Sequence, residues 1–125
     1  MLNEISIKNF AIIEHLEVAF ENGLTVLTGE TGAGKSIIID AVQLLAGGRG
    51  SQRFIRPGTE KAELQGLFSI DDDHHPVIAT LKQFGIEVED GIIILRRDIN
   101  SNGKGVCRIN GKLVTIAIMR EVGSQ

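Results

Sequence analysis

The sequence predicts an α/β fold in which a strand–loop–helix unit is joined to an antiparallel sheet. Three observations predict it. Residues 24–27 are a short apolar run with β-branched Thr25 and Val26, followed by a glycine-rich loop and then by an apolar helical stretch over 36–46. Three later runs, 92–95, 106–109 and 113–115, read as a meander of strands. The last two are separated by Asn110-Gly111, a pair suited to the positive φ that both positions of a type I′ hairpin turn require.

Taken in order, Ile5, Ile7, Ile12, Ile13, Leu16, Val18 and Phe20 place apolar residues mostly at alternate positions, with Lys8-Asn9-Phe10 among them. This predicts two strands broken at 8–10, then a turn at Glu21-Asn22-Gly23 into the strand at 24–27. The helix after the loop carries Ile37, Ile38, Ile39, Ala41, Val42, Leu44 and Leu45, so little polar face remains and burial on several sides is expected. Gly47-Gly48 ends it. Residues 49–58 form a polar loop with Arg49, Arg53 and Arg56, and 61–70 return to strand alternation. The run Asp71-Asp72-Asp73-His74-His75-Pro76 suits the positive end of a following helix, which presents Val77, Ile78, Leu81 and Phe84 and stops at Gly85. Adjacent histidines and aspartates in one loop make a poor chelate, so the stretch reads as a helix cap and not a metal site. Residues 116–122 begin a last helix.

The loop itself is Gly29-Glu30-Thr31-Gly32-Ala33-Gly34-Lys35-Ser36, a match to G-x-x-x-x-G-K-[ST] placed between a strand and a helix. That order turns loop N–H groups and the positive end of the helix dipole toward one spot, where a polyphosphate is favoured. Lys35 reaches the β- and γ-phosphates, and the Ser36 hydroxyl ligates Mg²⁺. The pattern therefore predicts a nucleotide such as ATP, with Mg²⁺, on residues Gly29 to Ser36.

Composition narrows the class further. The chain has 125 residues, 42% of them apolar, and a net charge of −3, which gives no overall polyanion-binding signature. Cys107 is the one cysteine, so an internal disulfide is excluded and a reducing compartment is expected. No apolar run approaches the roughly 18 residues of a membrane span, and the N-terminus lacks the pattern of a signal peptide. A cytoplasmic protein without a membrane partner is expected.

Other motifs of nucleotide hydrolysis are missing. The apolar run Ile92-Ile93-Ile94-Leu95 ends in Arg96-Arg97, where a Mg²⁺-holding acidic residue would be needed. No Leu-Ser-Gly-Gly signature, Asn-Lys-x-Asp guanine reader or Asp-Glu-x-His box is present. No catalytic residue is assigned, and turnover of ATP by this chain alone is not expected.

The combination of an N-terminal strand running into Lys8-Asn9-Phe10, the phosphate loop as written and Asp40-Ala41 in the next helix resembles the RecN family of bacterial DNA repair proteins, in the SMC-like group of ABC-type ATPases. Arg53-Phe54-Ile55-Arg56 and the Arg-Arg strand with its Asn110-Gly111 hairpin are similar too. Thr31 stands where many SMC-like loops have Asn, and no role is transferred to it. The resemblance implies a P-loop NTPase core with an antiparallel β-sheet subdomain, residues 1–125 being the N-terminal segment of an ATPase head that lacks its coiled coil and C-terminal segment. It implies ATP and Mg²⁺ as cofactors, DNA as a partner of the full protein, a homodimer formed by head engagement, and a nucleoid-associated location. It also implies that Lys8 and Asn9 line the nucleotide, the alternative being a strand break with a core Phe. Arg53 and Arg56 would touch nucleotide or DNA phosphate, the alternative being a solvated loop. Arg96, Arg97, Lys104, Arg108 and Lys112 make the meander locally basic, but alternation splits them between two sheet faces and a solvated face explains them as well. Two other readings stay open, a nucleotide-binding subunit of an ABC transporter and a P-loop phosphotransferase.

Overall fold

The computed structural model of the chain describes residues 2–19, 32–50, 52–70, 75–102 and 105–123, and the side chains at 32–35 and 52 are outside that description. The expected turn at 21–23, the strand at 24–27, Gly29, Glu30 and Thr31 of the loop, the stretch 71–74 and Lys104 also lie outside the described residues.

One antiparallel sheet organises the rest. Its strands are β1 (Leu2–Phe10), β2 (Ile13–Ala19), β3 (Lys61–Ser69), β4 (Ile92–Asn100), β5 (Gly105–Ile109) and β6 (Lys112–Val114), in the order β2-β1-β3-β4-β5-β6. Register places Ile7, Leu64, Arg97 and Cys107 in one row, and Ile5, Gly66, Leu95 and Ile109 in the next. These rows share a face with Ala62, Ile93 and Ile99. Three helices, α1 (Gly32–Leu45), α2 (Pro76–Gln83) and α3 (Ile116–Gly123), add Ile38, Ala41, Leu44, Leu45, Val77, Leu81, Met119 and Val122 to the same core. The opposite face carries Lys8, Glu63 and Asp98 in one row and Ser6, Gln65, Arg96 and Arg108 in another. The predicted α/β architecture and the three-strand meander are both present.

Two strand boundaries differ from expectation. The break expected at 8–10 falls instead at Ala11-Ile12, because Lys8 and Phe10 hold ladder positions opposite His15 and Ile13. Strand β4 does not stop at Leu95. It continues through Arg96 and Arg97 to Asn100, pairing with β3 along its whole length. Its alternation survives because Arg97 takes an inward position that an aliphatic residue would normally hold.

The helix ends follow local chemistry. Gly47 has φ 101°, its N–H donates to Leu44 O (3.1 Å), and Gly48 N–H donates to Gln43 O (2.9 Å), a Schellman closure of α1. At the end of α2, Gly85 has φ 74° and Ile86 N–H donates to Leu81 O (2.9 Å). His75 caps the start of α2 by accepting from Val77 N–H at Nδ1 (3.2 Å), with Pro76 at the first helical position. The Asn110-Gly111 turn has φ 50° and 83° at its two residues, as a type I′ hairpin requires. Helix α1 packs through one face and leaves Ile39 52% exposed, so the burial on several sides expected of it is not seen among the described residues.

Cys107 lies on the core face and is 7% exposed. Burial pushes its thiol up from the ordinary value, more than the nearby Arg97 guanidinium pulls it down. The folded chain is therefore expected to react with iodoacetamide at neutral pH at least about tenfold more slowly than the urea-unfolded chain, as followed by mass spectrometry.

Candidate functional site

The phosphate-loop motif enters the structure at the start of α1. Gly32, Ala33, Gly34, Lys35 and Ser36 open the helix, and the backbone N–H groups of its first three residues have no partner within it. The first turn contains no acidic residue of its own, which leaves the positive end of the helix unopposed from within α1. Ser36 is exposed. The donor set fits an anion and a hard cation bound by oxygen. Gly29, Glu30, Thr31 and the Lys35 side chain lie outside the described residues.

A second group of predicted residues is brought together by backbone. Arg56 N–H donates to Asn9 O at 2.9 Å, and Ala11 N–H donates to Phe54 O at 2.6 Å. Between these bonds Phe10 bridges to Ile55, and the Phe10 and Phe54 rings stack with centroids 5.4 Å apart. The Arg53 guanidinium lies over the Phe54 ring, 5.0 Å from its centroid. Asn9 and Ala11 both take left-handed φ, 54° and 52°. This left-handed pair breaks the alternation that buries Ile5 and Ile7, and Phe10 becomes the next buried residue in place of Asn9. Non-glycine residues at such φ cost of order 1 kcal/mol each, and such costs collect where a structure holds a functional shape. Sequence reading picked the Lys8-Asn9-Phe10 segment and the Arg53 and Arg56 pair as two separate groups. It missed that they form one joint.

Lys8 points away from the core. Its Nζ is 3.8 Å from Glu63 Oε2, with the side chain 60% exposed, so a ligand competes there only with a solvent-screened contact. Glu63 also holds Arg96, whose Nη2 donates to Oε1 at 2.7 Å, and Lys61 at 3.7 Å. Asp98 Oδ1 is buried without a hydrogen bond and has Arg96 Nε at 3.4 Å as its electrostatic partner.

The basic meander divides as alternation requires. Arg96 is committed to Glu63 and Asp98 on the open face. Arg97 is 8% exposed and faces the core, where it donates to carbonyls at the end of α1. Lys112 Nζ donates to Phe84 O (3.1 Å) at the end of α2. Arg108 is exposed. Among the described residues these basic groups do not form a continuous surface.

With this geometry in hand, the comparisons with known proteins decide the family. The family described as AAA domain matches residues 4–122. The chain belongs to the AAA domain family. This AAA-domain chain is 65% identical over 123 residues to the DNA repair protein RecN of Bacillus subtilis (strain 168), a match that covers 98% of the chain and 21% of that protein. It is 60% identical over 123 residues to the DNA repair protein RecN of Halalkalibacterium halodurans, covering 98% of the chain and 22% of that protein. The chain thus spans about a fifth of the length of the curated relatives it matches. A solved structure from work on ATP-driven dimerization and DNA-stimulated activation of SMC ATPases superposes with a TM-score of 0.76 at 22% identity, covering 98% of this chain and 77% of that one. At that identity the likeness shows only that this AAA domain shares the fold of that structure. No helix among the described residues is long and apolar enough to cross a membrane.

Proposed function

We propose that this AAA-domain chain is the ATP-binding, N-terminal segment of an SMC-like ATPase head acting in DNA double-strand break repair and recombination. Residues 1–125 supply the phosphate site, and the remainder of the head supplies the acidic and signature residues that this sequence lacks. The observation that carries the reading is the placement of Gly32 to Ser36 as the first turn of α1, free of carboxylates, within a chain similar to RecN proteins over nearly all its length.

In this reading Gly29 to Gly34 wrap the phosphates with backbone N–H groups, Lys35 neutralises the β- and γ-phosphates, and the Ser36 hydroxyl holds Mg²⁺. Bound Mg²⁺ supplies neutralisation of phosphate charge. Lys8, Asn9 and Arg56, joined at the Asn9–Arg56 backbone bond, form a wall beside the nucleotide. Two heads engage across ATP as a homodimer, and engagement changes how the full protein holds DNA. The location is the bacterial cytoplasm, in association with the nucleoid.

The test is a titration of the chain with a fluorescent ATP analogue and Mg²⁺ beside Lys35→Ala, with hydrolysis followed in the same tube. Binding that weakens about 10–100-fold in Lys35→Ala, without turnover by either chain, is expected, since one charge-assisted contact to phosphate is worth that much. Equal binding by Lys35→Ala would remove the phosphate assignment. Turnover by the 125-residue chain would remove the reading that the site is half of one.

A further inference from the structure

Helix α1 has no basic residue in its last turn, so the negative end of its dipole must be answered from elsewhere. Two arginines from different elements answer it. Arg97 of β4 reaches across the core, and its Nη1 donates to Leu44 O at 2.8 Å and also to Gly48 O. Arg120 of α3 donates from Nε to Gly47 O at 3.3 Å. The backbones around these contacts are nearly touching. A Cβ on Gly47 would stand 2.5 Å from Arg120 Cα, and one on Gly123 would stand 2.5 Å from Ala46 Cα. Helix α3 is thus docked on the C-terminal end of α1, while the phosphate-loop residues form the N-terminal end of the same rod.

We propose that Arg97 and Arg120 are positioning residues for the phosphate site, clamping the far end of α1 so that its first turn is held ready for a polyphosphate. The inference rests on the nucleotide-binding reading and adds to it a dependence on β4 and α3. An α-helix is stiff along its axis, so freedom at its C-terminal end becomes displacement at its N-terminal end. A site built from aligned backbone N–H groups loses affinity when that alignment is loosened. Both Arg97 bonds leave Nη1, which the planar guanidinium holds in a fixed direction between the two carbonyls, whereas an ammonium on a flexible stem is a single point of charge.

The test compares wild-type full chain with Arg97→Lys, Arg120→Gln and Ile86→Ala, the last a buried residue outside the clamp. Arg120 is exposed, so its variant folds even if substitution of buried Arg97 does not. Affinity for a fluorescent ATP analogue with Mg²⁺ and amide hydrogen exchange at residues 36–39 are measured at equal distance below each melting temperature. Expected are about tenfold weaker binding and about tenfold faster exchange at 36–39 in the arginine variants, with neither change in Ile86→Ala. Arginine variants that match wild type in both readouts, or an Ile86→Ala chain that reproduces both changes, would overturn the clamp. If wild type itself ignores the nucleotide, the phosphate assignment falls, and the exchange comparison still decides the clamp by itself.

Discussion

Phe10→Ala is expected to lower the unfolding free energy by about 3–5 kcal/mol, the usual cost of emptying a buried aromatic site. Phe10 is fully buried, and its ring stacks at 5.4 Å on Phe54. Truncation removes transfer energy, leaves a cavity and breaks the stack between β1 and the segment around Arg53. The two backbone bonds on either side, Ala11 N–H to Phe54 O and Arg56 N–H to Asn9 O, then have less to hold them in register. Equilibrium urea unfolding followed by far-UV circular dichroism measures the loss. A change under about 1 kcal/mol would show that the Asn9–Arg56 joint is not anchored by its aromatic pair. Phe10→Leu, which keeps most of the apolar volume without the stack, should recover more than half of the loss.

Gly47→Ala should be nearly as damaging, for a different reason. A left-handed backbone costs an L-residue about 1–2 kcal/mol, and Gly47 sits at φ 101°. The added methyl would also lie 2.5 Å from Arg120 Cα and 2.8 Å from its backbone nitrogen, so α3 must move off the end of α1. Overpacking of that kind adds about 1–3 kcal/mol. Thermal unfolding of the variant should show the combined loss. By contrast, Gly58→Ala should cost only the backbone part, since Gly58 has φ 89° with open space around its would-be Cβ. Equal losses at the two glycines would mean that the contact with Arg120 carries no weight.

Much of this architecture is legible in the residues themselves. Gly47 and Gly85 stop their helices and Asn110-Gly111 turns its hairpin because each position demands a positive φ, a property of single residues. The helices α1, α2 and α3 and the meander strands follow from apolar periodicity. What sequence could not supply depends on residues far apart in the chain. The apolar run 92–95 looks complete at Leu95, because an inward arginine breaks the alternation unless carbonyls at the end of α1 are there to receive it. The neighbours β1 and β3 are separated in sequence by β2 and α1, and local periodicity carries no word of that pairing. Asn9 tolerates left-handed backbone, but Ala11 gives no such hint. The motif at 29–36 can be read within one short stretch of sequence, whereas the meeting of Asn9 with Arg56 is visible only in the folded chain.

The way α1 is held has a practical reading for anyone who would dissect or transplant it. The motif-bearing stretch is not a portable part. Its floor is made by β3 and β4, and the groups that answer its dipole are borrowed from β4 and α3, all of which come later in the chain. A fragment that ends soon after the glycines at 47 and 48 would keep every letter of the motif and none of its supports. Grafting the loop and helix onto another scaffold would call for a matching pair of cations at the helix's far end.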